Sequence, residues 1–220
     1  MVRSKSSQAW LKRHVNDPYV HQAKAQGYRS RSAFKLIEIL KRDGLARPGD
    51  RVVDLGAAPG GWAQVLAERV GRSGRVIAVD LLEIASIPGV TVIRGDIREG
   101  AALQSVEAAL DGRELDLVVS DMAPNLSGVS VTDQARSIAL CELALEFARN
   151  RLRPQGAFLV KVFQGAGYPE FLRAMRGVFV KVFSRKPDAS RSGSSEMYLL
   201  GKSLKGWVED TSPRARLSIE

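Results

Sequence analysis

The chain has 220 residues, 45% of them hydrophobic and 26% charged, proportions that fit one soluble globular domain with a sizeable core. Its one cysteine, Cys141, excludes an internal disulfide, and no stretch is apolar enough for a membrane span or the core of a signal peptide. The net charge of +9 gathers in residues 1–31 and 173–191, which points to a polyanionic partner rather than a uniformly basic surface.

Residues 1–31 read as a basic arm with one short helix: Arg3, Lys5, Lys12, Arg13, Lys24, Arg29 and Arg31 stand against a single acid, Asp17. From Ser32 the spacing of Phe34, Leu36, Ile37 and Leu40 predicts an amphipathic helix, ended by a turn at 47–50. RVVDL (51–55) reads as a strand, followed by a glycine loop and the helix WAQVLAERV (62–70). Strands follow at RVIAVD (75–80) and VTVIR (90–94), then a helix over 99–110, the strand LDLVVSD (115–121) and a long helix over 133–150. The strand GAFLVKVF (156–163), a helix over 169–176 and the strands VFVKVFSR (178–185) and EMYLLGK (196–202) complete the pattern. Arg173, Arg176, Lys181, Arg185, Lys186 and Arg191 form the second basic segment, against Asp188.

This alternation predicts a Rossmann-like α/β fold, a mostly parallel sheet with helices on both faces. The last two strands have no helix between them and should form an antiparallel pair at one edge. The expected divisions are the arm 1–31, a domain over 32–202 and a flexible tail over 203–220. A cytoplasmic location follows from the absence of any targeting pattern.

The first strand runs into DLGAAPGGW (54–62), the strand–turn–helix start of a nucleotide-binding sheet. A Walker loop needs Gly-Lys-Ser/Thr, which is missing, and Ala58 and Pro59 replace the centre of a dinucleotide fingerprint. Asp80, ending the second strand, is placed to accept ribose hydroxyls, and Asp96, just past the third, to accept an adenine amino group. With Asp54 and Asp121 nearby, a pyrophosphate would be repelled and a sulfonium tolerated. The set suits S-adenosylmethionine. Singly, each carboxylate also reads as a cap and Trp62 as core packing.

Strands covered on both faces should be continuously apolar, yet Lys161 interrupts FLVKVF (158–163) and Asp121 ends a neighbouring run. A buried ammonium must be paired or lose its charge. YRSRSAFKL (28–36), DLGAAPGGW (54–62), SDMAPNLSG (120–128), LVKVF (159–163) and SSEMYL (194–199) resemble, in order and spacing from about residue 10 to 202, the FtsJ/RrmJ family of large-subunit ribosomal RNA 2′-O-ribose methyltransferases. The resemblance implies a seven-stranded methyltransferase sheet and a catalytic tetrad of Lys35, Asp121, Lys161 and Glu196, with Lys161 as general base. It also implies cofactor contacts at Gly60, Trp62, Asp80, Asp96 and Asp121, and no metal. The implied partner is 23S rRNA within the large ribosomal subunit, the target a uridine of its aminoacyl-site loop and the enzyme a monomer.

A ribose hydroxyl is a weak nucleophile, so the resemblance assigns the protein the tasks of positioning and proton removal. Lys35 would disfavour the proton on Lys161, while Asp121 and Glu196 would orient the lysines and stabilise the charge formed. The rival targets are transfer RNA and the messenger RNA cap; a structural RNA-binding assembly factor is the non-enzymatic alternative. Base N-methylation fits less well, because AspMetAlaProAsn (121–125) has no aromatic residue at its end.

Overall fold

A computed structural model describes residues 17–125, 127, 130–191 and 193–206. Residues 1–16 of the expected arm and 207–220 of the expected tail lie outside the described residues. The remainder of the arm carries helix α1 (Pro18–Gln26), and the last strand continues to Leu204. Asp17 caps α1 by accepting from the Tyr19 amide at 3.1 Å, Pro18 opens it, and Gly27 ends it in the left-handed region.

Helix α2 (Ser32–Asp43) leads into seven strands: β1 (Arg51–Leu55), β2 (Arg75–Asp80), β3 (Val90–Arg94), β4 (Leu115–Ser120), β5 (Leu152–Phe163), β6 (Phe179–Arg185) and β7 (Glu196–Leu204). They form one sheet in the order β3-β2-β1-β4-β5-β7-β6. The first five strands are parallel, and β7 runs antiparallel to both its neighbours, β5 and β6. The Rossmann-like sheet with its antiparallel edge pair is therefore present. The connecting helices are α3 (Gly61–Val70), α4 (Gly100–Leu110), α5 (Ser130–Arg151) and α6 (Tyr168–Val178).

Successive residues of β1 serve opposite faces, as a pleated strand requires. Val52 joins a core with Leu36 and Leu40 of α2 and Leu66 of α3. Val53 joins another with Val106 of α4, Cys141 and Phe147 of α5, and Phe171 of α6. Both faces are covered, which explains the apolar strand sequences. Strand order reverses at β1, where β2 lies on one side and β4 on the other, so a crevice opens beyond the carboxyl ends of these strands. Among the described residues no helix is long and apolar enough to cross a membrane.

Candidate active site

The turn after β1 is pinned to β2 by the Gly56 and Ala57 amides, which donate to the Val79 carbonyl at 2.9 and 3.2 Å. Gly56 has a φ of 76°, and a Cβ there would lie 2.5 Å from the Met122 side chain and 2.9 Å from its Cα. Glycine is required for this turn to pass the loop after β4. Asp80 then clamps the next loop: its carboxylate accepts from the Ala58 amide at 2.9 Å and from the Leu82 amide at 2.8 Å.

These loops wall a cleft of about 920 Å³ beyond the ends of β1 to β4, closed on one side by Arg136, Leu140 and Leu143 of α5. Asp80, Asp96 and Asp121 all line it. Arg98 grips Asp96, its Nε donating to the two carboxylate oxygens at 3.0 and 2.9 Å, and this bonding holds the Asp96 carboxyl below its ordinary range. Asp54 is fully buried on β1, and neither of its carboxylate oxygens has a hydrogen-bond partner among the described residues. Burial, and then the charges of Asp121 and Asp80, push its carboxyl well above the usual range.

Gly60 and Trp62 sit behind this wall rather than on it. The Trp62 ring is buried against Tyr198, with centroids 5.8 Å apart, and its indole N–H donates to the Ser32 carbonyl at 2.9 Å. A Cβ on Gly60 would meet Ile87 and Arg29. Acids on the wall, the apolar side chains of Leu81, Ile97, Leu140 and Leu143, and the absence of a lysine from the wall among the described residues fit a positively charged, phosphate-free nucleoside.

The tetrad converges from four elements. Lys161 of β5 donates from Nζ to the Asp121 carbonyl at 2.6 Å and lies 3.1 Å from Asp121 Oδ1. Lys35 of α2 donates to Glu196 Oε1, at the start of β7, at 2.6 Å. All but Asp121 are buried, so each ammonium is paired as its burial demands. Ser190 Oγ also donates to Glu196 Oε1, at 3.1 Å. Burial alone would raise the Glu196 carboxyl, but the Lys35 charge and hydrogen bond, the Lys161 charge and Ser190 outweigh it and hold that carboxyl below its ordinary range.

One member of the cluster escaped the sequence reading. Tyr198, register partner of Lys161 across β5 and β7, directs its hydroxyl at Glu196 Oε1 (3.2 Å) and Asp121 Oδ1 (3.4 Å), bridging the two ion pairs. Burial, then Asp121 and Glu196, raise its pKa well above that of a free phenol, so it remains a donor. The signal was its place in SSEMYL (194–199), two residues from Glu196 and hence on the same strand face. Cys141 is a packing residue: its Sγ lies 3.2 Å from the Lys161 carbonyl, and burial pushes the thiol up to about 12.

The sequence matches the FtsJ-like methyltransferase family over residues 28–204. A ribosomal RNA large subunit methyltransferase E from Chromobacterium violaceum is 59% identical over 92% of this chain and 98% of its own length. One from Neisseria meningitidis serogroup C is 58% identical over 93% of this chain and 99% of its own. Among solved structures, a chain from Plasmodium falciparum described as a ribosomal RNA methyltransferase matches with a TM-score of 0.72 at 27% identity, over 80% of this chain and 98% of that one. Aeropyrum pernix fibrillarin, solved with S-adenosyl-L-methionine, shares the fold at a TM-score of 0.54 and 19% identity, over 79% of this chain and 75% of its own.

Proposed function

The chain belongs to the FtsJ-like methyltransferases, enzymes dependent on S-adenosylmethionine, and we propose that it methylates the 2′-hydroxyl of a uridine in 23S rRNA of the large ribosomal subunit, as a cytoplasmic monomer with Lys161 as general base. One observation carries the proposal: Asp121 belongs both to the wall of the acid-lined cleft and to the buried ion-pair cluster, so Lys161 lies beside the cleft, where a proton acceptor would be needed. The relatives' names supply the substrate class.

Asp80 and Asp96 would hold the nucleoside end of S-adenosylmethionine, and Asp121 the end that faces the tetrad. Bound there, the cofactor supplies a methyl group on a positively charged sulfur, an excellent leaving group. The chain's own task is to place the ribose oxygen in line with that methyl and to remove its proton. Lys161, in its neutral form, takes the proton. The Asp121 carbonyl and carboxylate then accept from the resulting ammonium, at the positions they hold now. Lys35, held by Glu196, whose Oε1 also accepts from Ser190 and Tyr198, steers the attacking oxygen.

Methyl transfer to large subunits lacking the modification tests this. Lys161→Ala should lose at least a thousandfold in rate while cofactor affinity stays within about twofold. Turnover retained at neutral pH would remove Lys161 as the base. Mapping the ribose methylation to a nucleotide other than a uridine of 23S rRNA would overturn the target and leave the chemistry standing.

A further inference from the structure

Arg29 belongs to the basic arm and reads as a phosphate contact, yet its guanidinium is turned inward. Nη1 donates to the Pro59 carbonyl at 3.2 Å and to the Ala85 carbonyl at 2.7 Å, and Nη2 donates to the Ser86 carbonyl at 2.8 Å. Pro59 lies in the turn after β1 and Ala85 and Ser86 in the segment after β2, the two loops whose inner surfaces wall the cofactor cleft. Asp80 ties these loops from the inside, through the Ala58 and Leu82 amides. We propose that Arg29 ties them from the outside and is a positioning residue for the cofactor, setting the width of the cleft's nucleoside end.

The surroundings are built for this contact. The Arg29 amide donates to Gln64 Oε1 at 2.9 Å, and Gln64 Nε2 donates to the Gly27 carbonyl at 3.0 Å, so α3 grips the backbone on both sides of Tyr28. A Cβ on Gly60 would lie 3.0 Å from Arg29 Nη1, and one on Gly61 would lie 2.4 Å from Ser30 Oγ. Both glycines of the motif therefore make room for the 29–30 segment. A planar fork with donors pointing two ways suits three carbonyls on two loops; a lysine ammonium cannot span them. The same segment runs directly into α2, which carries Lys35. Cofactor wall and the lysine that steers the attacking oxygen are thus set by one piece of chain.

The inference rests on the cofactor lying in this cleft, so wild-type affinity for S-adenosylmethionine, measured without RNA, is the reference. Failure of the wild type to bind would count against that premise rather than against Arg29. Arg29→Ala should raise the cofactor Kd about tenfold and its KM in parallel, with kcat at saturating cofactor within about threefold. Arg29→Lys should not restore affinity, and Tyr28→Phe, which removes only the 2.9 Å bond to Glu68 from the same segment, should leave it unchanged. Amide hydrogen exchange should quicken over 81–88 in Arg29→Lys while β1 and β4 keep their protection. Unchanged cofactor affinity with a raised KM for ribosomal subunits would make Arg29 an RNA contact and overturn the proposal. So would full rescue by lysine, an equal loss in Tyr28→Phe, or unaltered exchange over 81–88.

Discussion

Within the cluster, what matters at neutral pH is which groups change charge and which do not. Glu196 is buried, yet its pKa is lowered because Lys35, Lys161 and Ser190 all favour the carboxylate. A carboxyl whose folded pKa lies below its unfolded value contributes stability that is complete above the unfolded value. That contribution is lost as the pH falls through the folded one. Glu196 is therefore a fixed anion from about pH 5 upward, and Tyr198 a fixed neutral donor. Neither group therefore changes charge between pH 6 and 9. Glu196→Gln should cut the single-turnover rate tenfold or more, since it leaves the Lys35 ammonium buried without its anion. The pH profile measured over that range should keep its shape. A profile that changes shape over that range in Glu196→Gln would show that Glu196 titrates there and refute its role as a fixed anion.

At the scale of the elements, β7 packs closely against its neighbours at Gly201. A Cβ on Gly201 of β7 would lie 2.3 Å from Cδ2 of Phe179, a ring itself stacked on Phe158 at a centroid distance of 6.2 Å. Neither ring has a free end to swing away, so Gly201→Ala should cost about 1–3 kcal/mol by overpacking. Gly177 of α6 has nothing within 4 Å of its Cβ position, and Gly177→Ala should stabilise by roughly 0.5–1 kcal/mol through helix propensity. Urea unfolding of the two variants should show midpoints moving in opposite directions. Seven apolar runs separated by glycine and proline were enough to predict the strands, because each run's character is local. The predicted strand begins at Gly156, whereas β5 starts at Leu152, which pairs with Leu115 before a register shift; Pro154, with no backbone N–H to donate, hid that start. The insertion of β7 between β5 and β6 and the bridging hydroxyl of Tyr198 were hidden for a different reason: both depend on contacts between segments remote in sequence. The four charged members of the cluster were legible as residues out of place in apolar surroundings or through the family resemblance. Their pairing, Lys35 with Glu196 and Lys161 with Asp121, was not.

Across the described residues, several basic side chains of the two segments are engaged in contacts within the fold. Arg31 is paired with Asp17, Arg185 is held by Asp43 at 2.6 Å, and Lys186 donates to the Glu196 carbonyl at 2.7 Å. These side chains fasten α1, α2 and the 186–195 segment together. Arg176 and Lys181 remain unpaired among the described residues, but they lie toward the wrong end. Lys181 is opposite Lys202, which pairs with Ala157, four residues short of Lys161 along β5 and thus roughly 13 Å from the reacting end. Arg176 precedes β6 and lies farther still from the cleft. Lys24 is exposed on α1, whose neighbouring Ala23 packs with Phe34, next to Lys35, and with Ala189, next to Ser190. An RNA strand entering the site should meet Lys24 and miss Arg176 and Lys181. Each phosphate contact adds about 1 to the slope of log Kd against log salt. Lys24→Ala should therefore lower that slope for ribosomal RNA by about 1, whereas Arg176→Ala combined with Lys181→Ala should leave it unchanged. A flattened response in the double variant, with Lys24→Ala matching the wild type, would place the RNA on the opposite end of the sheet.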